Sequence, residues 1–126
     1  MNKKIEVMEA SAKEGKLVLT GNSYNGEASE LEAKGQILAD SDHLAFIYIL
    51  ENPEHFTYLS IPAAHWPEIE KARTASLTVW ARINEKEIEL EHFFEELEEL
   101  VQNIAGNANY GDEMESKVSE VFATLA

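Results

Sequence analysis

A chain of 126 residues with 44% hydrophobic side chains and a formal net charge of −14 fits one domain around one core. Such a length buries roughly two thirds of the surface that the unfolded chain exposes. It holds no cysteine, which excludes disulfides, thiolate metal sites, iron–sulfur clusters and cysteine nucleophiles.

The acidity counts against nucleic acid and against an anionic membrane surface, because both are recognised by Lys and Arg set against phosphate. Lys3 and Lys4 are not followed by the apolar run of a signal peptide. The longest apolar run, Leu44 to Leu50, has seven residues and is far too short to span a bilayer. These features read as a soluble cytoplasmic protein, and they imply no cofactor.

Along the chain, Ile5 to Ala10 alternates apolar and polar with the period of a half-buried strand. Lys13-Glu14-Gly15-Lys16 offers a turn, and Leu17 to Thr20 a returning strand. Asn25-Gly26 carries the composition of a type I′ hairpin turn, since both residue types tolerate positive φ. Residues 27–33 are read as strand, although their Ala, Glu and Leu suit a helical turn equally well. Leu44 to Leu50 is apolar on both faces and predicts a central strand. Glu51-Asn52-Pro53-Glu54 turns it back into His55 to Ile61.

Residues 62–72 predict a short helix with Pro67 in its first turn or two. Residues 76–83 predict a strand with Leu77, Val79, Ala81 and Ile83 on one face; Asn84-Glu85 turns it and residues 86–90 pair back antiparallel. Phe93, Leu97, Leu100, Val101 and Ile104 form one helical stripe over residues 92–104. Gly106 closes that helix. Asp112, with Glu115 three residues on, has the spacing of a capping box opening a helix over residues 112–125. That last helix shows Met114, Val118, Val121, Phe122 and Leu125 on one face. The expected architecture is therefore α+β and a single domain over residues 1–126. An antiparallel sheet of about six or seven strands, built from meanders and hairpins mostly within residues 1–61 and 76–90, is packed by a short central helix and a C-terminal αα-hairpin.

Two stretches, Asp40-Ser41-Asp42-His43-Leu44 running through Phe46 to Asn52, and Ser60-Ile61-Pro62 with Trp66, resemble a known family. So does Leu100 to Ile104 leading through Gly106-Asn107-Ala108-Asn109-Tyr110-Gly111. The chain resembles uncharacterised protein family 0738, small acidic proteins of low-GC Gram-positive bacteria. The likeness is tightest from Asp40 onward and loose before Gly35. It implies a bacterial cytoplasmic protein of unknown function and brings no activity, cofactor or catalytic residue.

Candidate chemistry is sparse. Asp40, Asp42 and His43 put two carboxylates and an imidazole within four residues, and His55 could approach His43 across the hairpin to build a metal or ligand site. The simpler reading is a polar turn in which an aspartate bonds local backbone amides. The residues from Gly106 to Gly111 precede a helix, but Asp112 and Glu113 follow where a phosphate loop would place Lys and Ser. From Ile83 onward twelve acids face only Lys86 and Lys117, whereas Lys3, Lys4, Lys13 and Lys16 cluster near the N-terminus. The leading expectation is a non-enzymatic acidic binding or regulatory module for a protein partner with a basic surface, engaged through Glu95, Glu98, Glu99, Asn107, Asn109 and Tyr110. Its rival is a small metabolite- or metal-binding protein or enzyme with a pocket near Asp40–His43 and His55. Oligomeric state stays open.

Overall fold

In the computed structural model, which describes residues 3–123, the alternating N-terminal segment forms a hairpin of β1 (Lys3–Lys13) and β2 (Lys16–Gly21). Glu14 and Gly15 between them have φ of 53° and 82°, the pair of positive values that a type I′ turn needs. A second such turn, Asn84 and Glu85 at 49° and 70°, joins β6 (Thr78–Ile83) to β7 (Lys86–Glu89), an antiparallel pair as expected.

Asn25-Gly26 forms no hairpin. Neither residue has positive φ. The segment 22–31 is a connector pinned at both ends of its path. Asn84 accepts from Tyr24 N at 3.1 Å and donates to Tyr24 O at 2.7 Å, while Lys3 donates to the Asn25 carbonyl. A Cβ on Gly26 would lie 2.9 Å from the Tyr24 ring, so glycine here permits close packing rather than a hairpin. Residues 27–33, expected as strand, divide. Glu27 accepts from Ser29 N and starts a 3-10 turn over Ala28–Glu30, and β3 (Glu32–Asp40) begins only afterwards.

β4 (Ala45–Glu51) and β5 (Phe56–Pro62) form the expected hairpin. Asn52 organises its turn by accepting from Glu54 N and His55 N, both at 2.8 Å. The seven strands lie in the order β3-β4-β5-β1-β2-β6-β7. The sheet is mixed rather than antiparallel, because β1 runs parallel to β5 and β2 parallel to β6. The physical reason is topological: the N-terminal hairpin sits in the middle of the sheet, between strands that follow it in the chain. The sheet curls, and its edge strands β3 and β7 come close to one another.

Three helices cover the face carrying Ile5, Leu19, Tyr48 and Leu59. α1 (Trp66–Thr74) follows a 3-10 turn over Ala63–His65, with Pro67 in its first turn, a few residues later than the predicted 62–72. α2 (Phe93–Ile104) buries Phe93, Leu97, Val101 and Ile104. α3 (Asp112–Val121) buries Met114 and Val118, and Phe122 is buried just beyond it; Leu125 lies outside the described residues. Gly111, not Asp112, occupies the cap position of α3. Its φ of 89° suits glycine, and no side chain caps the helix.

Trp66 is fully buried and stacks on Phe46 at 4.2 Å, with Phe122 tilted 6.0 Å from Phe46. Its indole donates to Ile61 O at 3.0 Å, which satisfies the one polar atom of a large apolar ring. Trp80 differs: it is half-buried on the other face of the sheet, with the Lys16 ammonium 4.2 Å from its ring centre.

Tyr48 is the polar counterpart of Trp66. Its hydroxyl accepts from Gly35 N at 3.1 Å and donates to Glu91 O at 2.7 Å, inside a ring environment closed by Phe93. Burial first, helped by the nearby carboxylates Glu91, Glu96 and Glu89, pushes the phenol from its ordinary value of 10.0 up to about 12. Tyr48→Phe leaves the Gly35 amide without its acceptor and should cost about 1–3 kcal/mol in urea unfolding. The native phenol keeps its proton where the unfolded one has lost it. Its contribution is therefore intact below pH 10 and is lost as pH rises through about 12, and Tyr48→Phe should remove that part of the alkaline decline.

Candidate functional site

The Asp40–His43 stretch is the turn from β3 to β4. Asp40 accepts from His43 N at 3.3 Å and meets His43 Nδ1 at 2.8 Å, so one carboxylate ties both the backbone and the ring of the same residue. The turn closes through Leu44 in the left-handed conformation, φ 49°. Asp42 is exposed, and among the described residues it makes no hydrogen bond or ion pair. His55 lies in the β4–β5 turn, at the far end of β4. Seven strand residues separate the two turns, roughly 20 Å. The approach of His55 to His43 expected from the sequence therefore does not occur. The His55 ring instead meets Asn52 within its own turn at 3.2 Å. Among the described residues, no group of three or more His, Asp or Glu side chains is placed to hold a metal ion.

What the fold does bring to Asp40 comes from far along the chain. Lys4 of β1, Tyr58 of β5, Ile47 of β4 and Leu38 of β3 join Asp40, Ser41 and Asp42 around an open depression of about 460 Å³ on the outer face of the sheet. Sequence reasoning missed Lys4, Leu38, Ile47 and Tyr58. The available signal was the apolarity of residues 44–50 on both faces, which predicts a central strand but not which of its faces a helix covers. The helices occupy one layer only; on the other face of these strands Leu38 and Phe56 are 43% and 42% exposed, while Ala45, Ile49 and Ser60 are buried.

The second expected site runs along α2 and the turn after it. The buried stripe of α2 fixes which way its acids point. Glu95 and Glu99 project into solvent, four residues apart on one face, with Glu95 3.4 Å from His92 Nδ1. Glu98 does not share that face. It is half-buried toward α1, where Arg73 is held by Glu70 through contacts of 2.6 and 3.0 Å. Hydrogen bonding from Glu70 raises the Arg73 guanidinium above its ordinary value, and the charges of Glu70 and Glu98 add to it. In the following turn Asn107 accepts from Asn109 N at 3.0 Å, starting a 3-10 turn over Ala108–Tyr110, and the Tyr110 ring packs on the core. Asn109 alone of the three is fully exposed.

Residues 5–122 match a family of unknown function, UPF0738. The chain belongs to that family. It is 43% identical to the UPF0738 protein Bcer98_0913 of Bacillus cytotoxicus over 97% of this chain and 99% of the relative. UPF0738 proteins of Bacillus mycoides and Bacillus cereus are 43% and 42% identical over the same shares. No solved structure matches the chain. The UPF0738 match runs from Ile5 in β1 to Phe122 after α3, so it takes in the acidic edge and, Lys4 apart, the residues around the depression. Among the described residues, no helix is long and apolar enough to cross a membrane.

The two aspartates of the turn separate a structural role from a ligand role. Asp40→Ala should cost about 1 kcal/mol through the lost amide and imidazole contacts, whereas Asp42→Ala should stay within about 0.5 kcal/mol of the parent in urea unfolding.

Proposed function

We propose that this UPF0738 protein is a non-enzymatic binding module that recognises a basic protein partner in the bacterial cytoplasm through the acidic edge of α2. The observation that carries the reading is the pair Glu95 and Glu99, exposed one helical turn apart on a helix whose other side is locked into the core. Like charges at this spacing repel by a few tenths of a kcal/mol in an isolated helix. A Lys or Arg placed between them removes that penalty and gains two charge-assisted contacts. From His92 onward Lys117 is the one Lys or Arg in the sequence, and it pairs with Glu120 at 3.7 Å. Among the described residues Glu95 meets only the His92 ring and Glu99 has no salt bridge, which leaves room for a cation from a partner. Asn109, exposed in the turn beyond the helix, offers a neutral donor and acceptor.

Electrostatic steering of this kind acts mainly on the association rate and is screened by salt. Glu98, half-buried and within electrostatic reach of Arg73, stands apart from this surface. A second reading, a small-molecule site, draws support from the depression where Lys4 and Asp40 bring both signs of charge beside Tyr58. Thermal shift against a panel of zwitterionic and phosphorylated metabolites checks it, since a native-state ligand at about 100 times its Kd adds about 2.7 kcal/mol.

Partners captured from native lysate at low salt, then purified, provide the kinetic test. Glu95→Gln with Glu99→Gln should slow association about fivefold to tenfold at low salt and flatten its salt dependence. Glu98→Gln should lower stability and leave the association rate unchanged. An unchanged rate in the double variant would exclude the α2 edge as the recognition surface.

A further inference from the structure

The outer face of β3, β4, β5 and β1 exposes Leu38 and, in part, Ile47 and Tyr58, while Ile49 and Ser60 are buried within it; Lys4 and Asp40 give two of its corners opposite charge, and Glu6 lies on its β1 edge. Strand register sets its rows. Leu38 lies opposite Ile47, Ile47 opposite Ser60 and Ser60 opposite Glu6; one row on, Ile49 lies opposite Tyr58 and Tyr58 opposite Lys4. Asp40, at the end of β3, and Lys4, on β1, occupy opposite corners, and the point midway between them falls between Ile47 and Ser60. Leu38 and Tyr58 are placed roughly symmetrically about the line that bisects the Asp40–Lys4 diagonal at right angles.

We infer that this face binds a second copy of the chain across a two-fold axis. With the axis lying between the two sheets and passing over Ile47, Lys4 of each copy opposes Asp40 of the other. The same operation sets Tyr58 of each copy on the other's Leu38, and Ile47 meets its own counterpart. An isologous contact requires this self-complementarity, in which each residue's partner is returned by the same operation. A partner of one charge sign would leave one corner opposed by like charge. The placement also suits the net charge of −14, because the acids of α2 and α3 lie on the helical side of the sheet and point away from the contact.

Size sets the strength. Four strands about 4.8 Å apart and three outward rows give each copy a patch on the order of 400 Å². Two such patches bury about 800 Å², below the range of about 1,200–2,000 Å² typical of stable complexes. The dimer is therefore weak and concentration-dependent.

Sedimentation velocity from about 5 to 500 µM, concentrations at which a weak contact populates, tests it. The wild-type chain should shift from monomer to dimer. K4E and D40K, each bringing like charges together at both corners, should weaken the dimer at least tenfold. An equimolar mixture of K4E and D40K should recover it, because both corners then carry opposite charges again. L38E, on a side chain that is 43% exposed, should also give monomer with a native near-ultraviolet circular dichroism spectrum. Because Asp40 also holds its turn, D42K is run beside D40K as a second corner variant that leaves those bonds in place. A wild-type chain that stays monomeric throughout, a dimer that survives both K4E and L38E, or a mixture no better than its components overturns the inference.

Discussion

The rest of the sheet depends on β1. Its first residues, Lys3 to Glu6, pair with β5, and Val7 to Lys13 pair with β2, so one strand splices two sub-sheets. The change of partner coincides with the irregularity between Val7 and Glu9, where Met8 is left over and the strand bends, as bulged strands do. Ile5 and Val7 are buried on either side of the splice. Opposite Val7, Gly21 leaves room for Ile5; a Cβ there would come within 2.5 Å of the Ile5 methyl. Without β1, both β5 and β2 would become open edges, with unpaired backbone groups in the middle of the molecule. The splice also joins distant parts of the chain, since Lys3 meets Thr57 and Lys16 meets Thr78. Such pairing closes long loops before it gains contacts, which slows folding relative to a meander.

That splice marks where the sequence was and was not legible. Elements whose signals are local could be read: the 44–61 hairpin from its apolar strands and Asn-Pro turn, the 76–90 hairpin, and α2 from its stripe. Pairing between strands far apart in sequence leaves no local pattern, so a sheet of hairpins was expected and parallel neighbours were missed. Asn25-Gly26 has the residues of a hairpin turn, but the Asn84 side chain and Tyr24 impose a connector there. Turn propensity says that the chain bends, not which strand it bends toward. The candidate sites divide in the same way. Asp40 and His43 meet because they are three residues apart. Lys4 and Tyr58 share a depression with Asp40 only through the order of the strands, and Glu98 lies half-buried within electrostatic reach of Arg73 on another helix.

The Tyr48 hydroxyl connects this sheet to the acidic edge. It binds Gly35, whose φ of 68° favours glycine and where a Cβ would lie 3.1 Å from the His92 ring. It also binds the carbonyl of Glu91, one residue before His92 enters the left-handed conformation that precedes α2. The start of α2 is thus referred to the centre of the sheet. The buried stripe of Phe93, Leu97, Val101 and Ile104 then fixes the side of α2 that faces the core. With one end and one side set, Glu95 and Glu99 have a defined direction rather than the freedom of acids on an isolated helix. A fixed acidic pair loses less entropy on meeting a cation than a mobile one does.

The two proposed surfaces occupy opposite sides of the same layer and do not compete. Pairing through the outer sheet face would leave both α2 edges of a dimer exposed and directed away from each other. Each copy would then bring one acidic edge, and the second contact to a bivalent partner would become intramolecular, which raises avidity without any new contact. Weak self-association is compatible with that role. A dimer that forms only at high local concentration couples partner binding to how many copies are gathered in one place, and the coupling is reciprocal: a bivalent basic partner would stabilise the dimer by the same free energy with which the dimer favours the partner.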